Sequence, residues 1–247
     1  MEKYKSNSFD KSYASAWSAD QGGFSYQLAQ NLLAYLTKNK IPAKTCLDIC
    51  CGTGEFLGNF AKVGFTCTGT EIAQSMIEYS QEKFPNITFK LAKKINEIPV
   101  KGKFDVITCN HDVVNMQEKF SDWQDMFKEV SSSLSKGGVF MFDYYTKKKL
   151  QDWNEVIFEE SDTMDHVRNI KKGIDNKCVI NEIYYIKNNE GLYHRTFDVL
   201  VEAYFENDQI VQALKKAGFK NISLVDFSLE PISNPEQRNR IHVLARK

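Results

Sequence analysis

A glycine turn flanked by carboxylates is the part of this sequence best suited to chemistry. Asp48 lies in a short apolar run, and the turn at 52–54 follows it before a helix-like pattern begins at Phe56. Glycines there let a ligand lie against the backbone, and a helix start offers unpaired N–H groups. Glu71 ends the next strand-like run roughly 20 residues after the turn, where a carboxylate can accept hydrogen bonds from ribose hydroxyls. These residues predict a site for a nucleoside-bearing ligand.

The residues around the turn narrow the choice of ligand. Leu57 stands where a nicotinamide fingerprint has its third glycine, which disfavours a pyrophosphate. Gly54 is followed by Glu55 and not by the lysine of a nucleotide-triphosphate loop. Asp48 lies just before Gly52, where we expect it to face a cationic group. S-adenosylmethionine carries both an ammonium group and a ribose, so it suits this pair of carboxylates.

Five segments in order along the chain resemble the signature segments of class I S-adenosylmethionine-dependent methyltransferases: 48–54, 69–72, 103–110, 134–143 and 213–219. The resemblance covers about residues 45–147 and 204–247. The chain is most similar to the small-molecule branch of that family, whose members carry a mainly β insertion after the fifth strand. The resemblance therefore implies methyl transfer to N or O of a small molecule.

The resemblance also implies a set of cofactor-binding residues. They are Asp48, Cys50, Gly52, Gly54, Glu71, Ile72, Met76 and Asn110, with Tyr13 or Trp17 from a segment that folds over the cofactor. Many members read the adenine amino group with an acidic residue after the third strand. This chain has Lys93 and Lys94 near that place, so we expect backbone groups to hold adenine instead.

Candidates for catalysis and acceptor binding follow the fourth and fifth strands. His111 is the best candidate for proton transfer, because the ordinary pKa of histidine is near working pH. The predicted acceptor-binding residues are Asp112, Asn115, Asp143, Tyr144, Tyr145, His194 and Arg195. Alignment of the reactants can supply ~7–11 kcal/mol, and a base is needed only when the acceptor is protonated.

Strand and helix patterns alternate through most of the chain. We predict strands at 45–49, 65–70, 87–91, 104–110 and 139–144, helices at 54–63, 73–83 and 121–134, and two closing strands at 222–227 and 241–245. A further helix is expected between the Gly22-Gly23 pair and Pro42. This alternation predicts an α/β fold, with a Rossmann-like, seven-stranded, mostly parallel sheet and helices on both faces. Ligands then bind at the carboxyl ends of the strands.

The segment 148–205 interrupts this alternation with an inserted antiparallel β-sheet. We expect it to form a lid that serves as an acceptor surface or a dimer surface, with a hairpin turn at 188–191. The predicted domains are an N-terminal helical cap (1–44), an S-adenosylmethionine-binding domain (45–147 and 206–247) and this lid. Ser121 and Asn207 are the expected caps of the helices that follow them.

Composition limits the partners of the protein. Basic and acidic residues balance at 32 each, which disfavours nucleic acid as a partner. The sequence has no apolar run of the ~20 residues that a membrane helix needs, and no signal-peptide pattern at its start. Most of the six cysteines fall in predicted core strands, which favours reduced thiols, a cytoplasmic location and no metal site.

Three functions stay open at this point. The first is a small-molecule methyltransferase that is a monomer or a homodimer. The second is an RNA or protein methyltransferase, since Thr108-Cys109 superficially matches a pair found in RNA cytosine-5 enzymes. The third is a non-catalytic protein that binds S-adenosylmethionine and uses the inserted sheet for interactions.

Overall fold

A seven-stranded sheet forms the centre of the fold in a computed structural model that describes residues 11–188 and 190–247. Its strands are β1 (Thr45–Ile49), β2 (Thr66–Glu71), β3 (Thr88–Leu91), β4 (Phe104–Cys109), β5 (Leu134–Tyr145), β10 (Asn221–Val225) and β11 (Arg240–Arg246). They lie in the order β10-β11-β5-β4-β1-β2-β3. Only β11 runs antiparallel to its neighbours within this order. The predicted seven-stranded, mostly parallel sheet is confirmed.

Helices cover both faces of this sheet. They are α1 (Lys11–Lys38), α2 (Glu55–Lys62), α3 (Gln74–Lys83), α4 (Phe120–Ser133), α5 (Lys147–Leu150) and α6 (Asn207–Lys216). Leu32 of α1 and Phe60 of α2 belong to the apolar core on one face. Trp123 of α4 and Leu214 of α6 belong to the core on the other. Burial of such side chains contributes about 1.5–3 kcal/mol each and fixes the strand ends that hold the site.

A second sheet is inserted between β5 and α6. It consists of β6 (Glu155–Glu160), β7 (Met164–Lys172), β8 (Lys177–Lys187) and β9 (Tyr193–Ala203), all antiparallel and paired in that order. The predicted inserted antiparallel sheet is confirmed. The predicted hairpin turn between β8 and β9 includes Asn189, which lies outside the described residues.

Three helix starts differ from the sequence-based expectation. α1 begins at Lys11 and continues through Gly22 and Gly23, because its buried residues pack along the sheet and outweigh the low helix propensity of glycine. Ser121 lies inside α4, whose cap position is Lys119. Asn207 is the first residue of α6, and Glu206 forms the capping box there with Gln209. The first ten residues of the predicted cap lie outside the described part of the chain.

The cysteines behave as small core residues. All six have free thiols, and five of them are buried, as the core interpretation predicts. Within residues 11–188 and 190–247, we find no helix of sufficient length and apolar character to cross a membrane.

Candidate cofactor and acceptor site

A cavity of about 1100 Å³ lies at the carboxyl ends of the central strands. Residues of the glycine turn, the end of β2 and the start of α3 form one side of it. Side chains of α1 cover this side, and the inserted sheet forms the opposite wall. β1 lies between β2 and β4 in the sheet. The connection after β1 runs towards β2 and β3, and the connection after β3 crosses to β4 on the other side of β1, which opens a crevice at the strand ends. The cavity therefore occupies the place that the alternation of strands and helices predicts for a ligand.

The glycine turn uses left-handed backbone at three positions. Cys50, Gly52 and Gly54 have φ angles of 53°, 52° and 77°. A Cβ added to Gly52 would meet no atom within 4 Å, and Gly52 lines the cavity, so its backbone is open to a ligand. A Cβ on Gly54 would lie 3.0 Å from the Phe89 ring. Gly54, predicted to contact the cofactor, does not line the cavity. It is needed for the turn and for close packing.

Asp48 projects into the cavity from β1, where it is 3% exposed. The Thr108 hydroxyl donates a hydrogen bond of 2.6 Å to its Oδ1, and Asn110 Nδ2 donates a longer one of 3.4 Å. Burial raises the pKa of Asp48 to about 7, because a charged carboxylate loses its hydration there. A cationic group beside Asp48 would favour the ionised form again.

Glu71 closes the glycine turn against the end of β2. Its carboxylate accepts hydrogen bonds from the backbone N–H groups of Gly52 (3.1 Å), Ile72 (2.7 Å) and Ala73 (3.0 Å). Burial raises the pKa of Glu71, and these three donors act in the opposite direction. The carboxylate is therefore held rigidly at the cavity wall, 7% exposed, as an acceptor for hydroxyl groups.

The region predicted to receive adenine is apolar. Ile72 and Ile95 both line this part of the cavity, together with Met76 from α3. Lys93 and Lys94 are exposed and do not line it. These observations agree with adenine recognition that does not depend on an acidic side chain.

α1 covers the cavity with Tyr13 and Trp17, whose rings stack at 5.8 Å. Ser18 of the same helix hydrogen-bonds Glu55, and Lys83 Nζ lies 2.5 Å from that carboxylate. This contact joins α1 to both helices that flank the glycine turn. Glu55 therefore holds the cover over the cofactor side of the cavity.

His111 follows β4 in left-handed backbone (φ 61°), as does the next residue, Asp112 (φ 49°). The His111 ring lies 4.6 Å from the Phe24 ring, and its Nε2 is 3.1 Å from Ser25 Oγ. Burial lowers the pKa of His111 to about 4, and Arg240 contributes in the same direction. His111 lines the cavity as predicted, but as a neutral imidazole it is a weak base and a good hydrogen-bonding group.

Arg240 fixes the strained His111–Asp112 backbone. Its Nε donates to Asp143 Oδ2 (2.6 Å), its Nη2 pairs with Asp112, and the Asp112 backbone N–H donates to Asp143 (3.0 Å). Burial raises the pKa of Asp112 to about 6, although Arg240 opposes this. Asp143, predicted to bind the acceptor, is fully buried and does not line the cavity. Its contacts are with Arg240 and the Asp112 backbone, which position the loop.

The other predicted acceptor residues divide into three groups. Tyr145 lines the cavity, as expected. Asn115 and Tyr144 do not, because Asn115 hydrogen-bonds the backbone of Tyr145 and Ala203, and Tyr144 packs against α4 on the opposite face of β5. His194 and Arg195 are exposed near the start of β9 and lie outside the cavity wall.

Sequence reasoning missed the polar side chains of the inserted sheet that do line the cavity. They are Glu159, His166, Arg168, Glu182, Tyr184, Asp198 and Glu202, which we call the lid face. The pattern of β8 contained a signal, since Glu182 lies on the face shared by Cys178 and Ile186, both buried. A carboxylate on the buried face of an alternating strand is costly unless it serves a site.

The described residues fit S-adenosylmethionine. Asp48 offers a carboxylate to an ammonium group, and Asn110 Oδ1 is a buried acceptor that has no hydrogen-bond donor among residues 11–188 and 190–247. Glu71 offers a fixed carboxylate to ribose hydroxyls, and Ile72 with Ile95 offers apolar surface to adenine. The cofactor supplies the electrophilic methyl group when it is bound.

A family model described as a methyltransferase domain matches residues 21–224. This range contains the glycine turn, the sheet that carries it and the whole inserted lid. The chain belongs to the methyltransferase domain family. It is an S-adenosylmethionine-dependent methyltransferase of the class I type, as the sequence resemblance implied.

Similar proteins extend over most of this methyltransferase. A protein of Geobacillus sp. (strain WCH70) that is described as a methyltransferase is 26% identical to this chain over 212 residues. Those residues are 83% of this chain and 85% of that protein. An S-adenosylmethionine-dependent methyltransferase from Clostridium acetobutylicum ATCC 824 has a TM-score of 0.79 at 21% identity, covering 89% of this chain and 90% of that one.

An amino pentose methyltransferase from Micromonospora echinaspora, solved with S-adenosylmethionine bound, has a TM-score of 0.74 at 17% identity. The match covers 94% of this chain and 97% of that chain. At this level of identity the likeness shows a shared fold, and it includes the inserted sheet because so little of either chain is left out.

Proposed function

We propose that this methyltransferase transfers a methyl group from S-adenosylmethionine to N or O of a small molecule held against the lid face. The observation that carries this proposal is the single cavity that joins Asp48 and Glu71 to Glu182 and Glu202. Ligand cavities for one small molecule measure ≈300–1,000 Å³. A cavity of about 1100 Å³ suits the cofactor and a small acceptor together.

The residues of the chain would act mainly by binding and orientation. Asp48 and Glu71 fix two ends of the cofactor, and Tyr13 and Trp17 cover it and exclude water. Methyl transfer requires an in-line approach of the acceptor, for which such positioning can supply ~7–11 kcal/mol. His111, neutral and hydrogen-bonded to Ser25, would orient the acceptor or a cofactor group at the end of β4.

The charge of the lid face favours a small molecule over RNA. Glu182, Asp198 and Glu202 line the cavity, and the chain has no surplus of basic residues. Proteins that bind phosphate backbones depend on basic surfaces that release counterions. The amino pentose methyltransferase with the same fold, which acts on a small molecule, supports the proposal in the same direction.

The lid has a second surface on its outer side. Val156 and Phe158 of β6 are 69% and 60% exposed there, and Phe197 of β9 lies on the same face of the sheet. Apolar side chains grouped on one face favour an interface with another protein surface. We propose that the protein is either a monomer or a homodimer whose two copies meet through this face.

Cofactor binding is tested by thermal unfolding with S-adenosylhomocysteine. At about 100 times the Kd, a ligand stabilises by about 2.7 kcal/mol, which raises the Tm of a chain of this size by roughly 5–10 °C. Glu71→Ala should reduce that rise, since it removes the acceptor for ribose. Glu129→Ala, which alters an exposed carboxylate on α4, is the matched control and should leave it unchanged. Failure of the wild-type protein to respond would contradict the proposal.

A further inference from the structure

The lid face carries more carboxyl groups than the cations beside it can balance. The carboxyl groups at this end of the cavity belong to Asp112, Glu159, Glu182, Asp198 and Glu202, whereas the guanidinium groups belong to Arg168 and Arg240. Neither arginine is ion-paired with Glu182 or Glu202 in the described residues. Arg168 pairs with Glu159 at 2.6 Å. Arg240 pairs with Asp112 and Asp143.

Glu202 contains a buried acceptor that points to a ligand. The residue is 2% exposed and lines the cavity, and within the described residues its Oε2 has no hydrogen-bond donor. Burial and the neighbouring Asp112 carboxyl, with which Glu202 shares a hydrogen bond, raise the pKa of Glu202. A buried polar atom without a partner costs about 1–3 kcal/mol, and more when it is charged. A ligand that donates a hydrogen bond or carries a positive charge would remove that cost.

Glu182 lines the same cavity and is held in a fixed orientation. Tyr184 donates a hydrogen bond of 2.5 Å to Glu182 Oε2, and His166 Nε2 lies 3.3 Å from Oε1. The neighbouring strand places Asp198 directly opposite Glu182 on the same face. Asp198 Oδ1 accepts a hydrogen bond of 2.8 Å from the Val199 N–H, and the two facing carboxyl groups make this part of the cavity acidic.

Aromatic rings complete the surroundings of these carboxylates. Tyr145, Trp153 and Tyr184 line the same chamber. Each ring already has one basic neighbour: the Lys149 ammonium lies 3.7 Å from the Trp153 centroid, the Arg240 guanidinium lies 4.8 Å from that of Tyr145, and the His166 ring stacks on Tyr184 at 4.2 Å. Carboxylates combined with aromatic faces are a common way to bind an ammonium group.

We infer that the methyl acceptor is a small molecule with a basic amino group, which Glu202 and Glu182 bind and which is methylated on nitrogen. This inference rests on the proposed function and narrows it. The ammonium form donates a proton to the Glu182 carboxylate, beside His166, and becomes a free amine. The nitrogen lone pair then bonds to the methyl carbon, and the electron pair of the carbon–sulfur bond remains on sulfur. The products are an N-methylammonium ion and S-adenosylhomocysteine, and the first proton remains on Glu182 until it passes to solvent.

The test uses the full chain, methyl-labelled S-adenosylmethionine and a metabolite extract filtered to remove macromolecules. Products pass through a strong cation exchanger at neutral pH, which retains N-methylated amines together with unreacted S-adenosylmethionine, itself a cation, and lets neutral methyl ethers and esters pass. The retained material is then separated by chromatography, and label is counted only in compounds other than S-adenosylmethionine and only beyond a control without the protein. We expect label in the retained fraction. Label only in the fraction that passes overturns the amine inference and leaves the proposed function intact. Label in neither fraction overturns both.

Substitutions of Glu202 and Glu182 test whether these carboxylates recognise the acceptor found in the retained fraction. Glu202→Gln and Glu182→Gln should each lower kcat/KM for the retained acceptor about 30-fold or more, since each removes a buried charge partner. Glu160→Gln changes an exposed carboxylate of the same sheet, outside the cavity, and should change it less than about twofold.

A binding measurement separates recognition from folding defects. Each variant should keep the wild-type Kd for S-adenosylhomocysteine, which shows that the fold and the cofactor side are intact. Calorimetric titration of the complex with the purified retained acceptor should show the loss of affinity directly. If both lid variants bind and methylate the amine like the wild-type protein, Glu182 and Glu202 do not recognise it and the inference is wrong.

Discussion

The pH dependence of cofactor binding should report the ionisation of Asp48. Burial raises the pKa of this carboxyl from 3.8 to about 7, so lowering the pH neutralises it well within the range where most proteins stay folded. We expect the ammonium group of S-adenosylhomocysteine to bind only the ionised form. Below pH 7 each pH unit should then weaken binding about tenfold, or ~1.4 kcal/mol. The Kd should therefore be about 100-fold higher at pH 5 than at pH 8.

Asp48→Asn provides the matched variant for this titration. It removes the charge and keeps the size, so we expect a Kd at pH 8 that is about 10- to 100-fold above the wild-type value, from the loss of a charge-assisted hydrogen bond. The asparagine does not titrate, so the two curves should approach one another near pH 5. Glu71 and the ligand itself titrate in both proteins, and their effects cancel in the comparison.

Isothermal calorimetry in buffers of different ionisation enthalpy measures both the Kd and the protons exchanged. At pH 7 the wild-type protein should release about half a proton more than Asp48→Asn on binding, because roughly half of its Asp48 is protonated beforehand. Parallel curves for the two proteins between pH 8 and pH 5 would refute the reasoning. They would mean that Asp48 is already ionised in the free protein or does not face the ligand.

Two further predictions concern the loop after β4. Arg240→Ala should lower the free energy of unfolding in urea by about 3–5 kcal/mol, because it leaves Asp112 and Asp143 buried without their cation. Arg238→Ala, at an exposed position, should change the free energy of unfolding by less than ~0.5 kcal/mol. Equal effects of the two substitutions would contradict this role of Arg240. The pKa of His111 is lowered from 6.5 to about 4, so between these values the folded state binds fewer protons than the unfolded state. The contribution of neutral His111 to stability is therefore complete above pH 6.5 and is lost as the pH falls towards 4. Wild-type protein should therefore lose ~2–3 kcal/mol more than His111→Gln between pH 7 and pH 4, and an equal loss would show that His111 titrates normally.

The cofactor side of the site was predictable because its signals are local in the sequence. Asp48, Gly52 and Glu71 lie at the ends of two adjacent strands, and parallel pairing of β1 with β2 brings those ends together. The chemistry of the turn and the order of the elements were enough to place them. Gly54 was the exception, since its proximity to the Phe89 ring depends on packing that no local pattern describes.

The acceptor side depended on which face of a strand each residue occupies. β5 is buried on both faces, so its composition could not show that Tyr145 lines the cavity while Tyr144 packs against α4. Asn115 looked like a ligand-binding side chain, but it satisfies backbone groups at the junction with the lid. The choice between these roles is made by tertiary contacts.

The lid carboxylates could have been found from alternation alone. His194, Thr196 and Asp198 alternate along β9 and so share one face of it, and Asp198 of that set lines the cavity. His194 lies on the same face but too near the exposed end of β9. The start of α1 was missed because Gly22 and Gly23 weaken the helical pattern locally, whereas burial against the sheet stabilises the helix along its length.

The most direct test of the central claim is where the methyl group goes. The purified protein is incubated with methyl-labelled S-adenosylmethionine and a whole-cell extract, and the mixture is separated by ultrafiltration into small molecules and macromolecules. The account predicts labelled small molecules other than S-adenosylmethionine that are missing from a control without the protein, and their loss in Asp48→Asn. Label transferred to RNA or protein alone, or to no compound beyond the control, would contradict it.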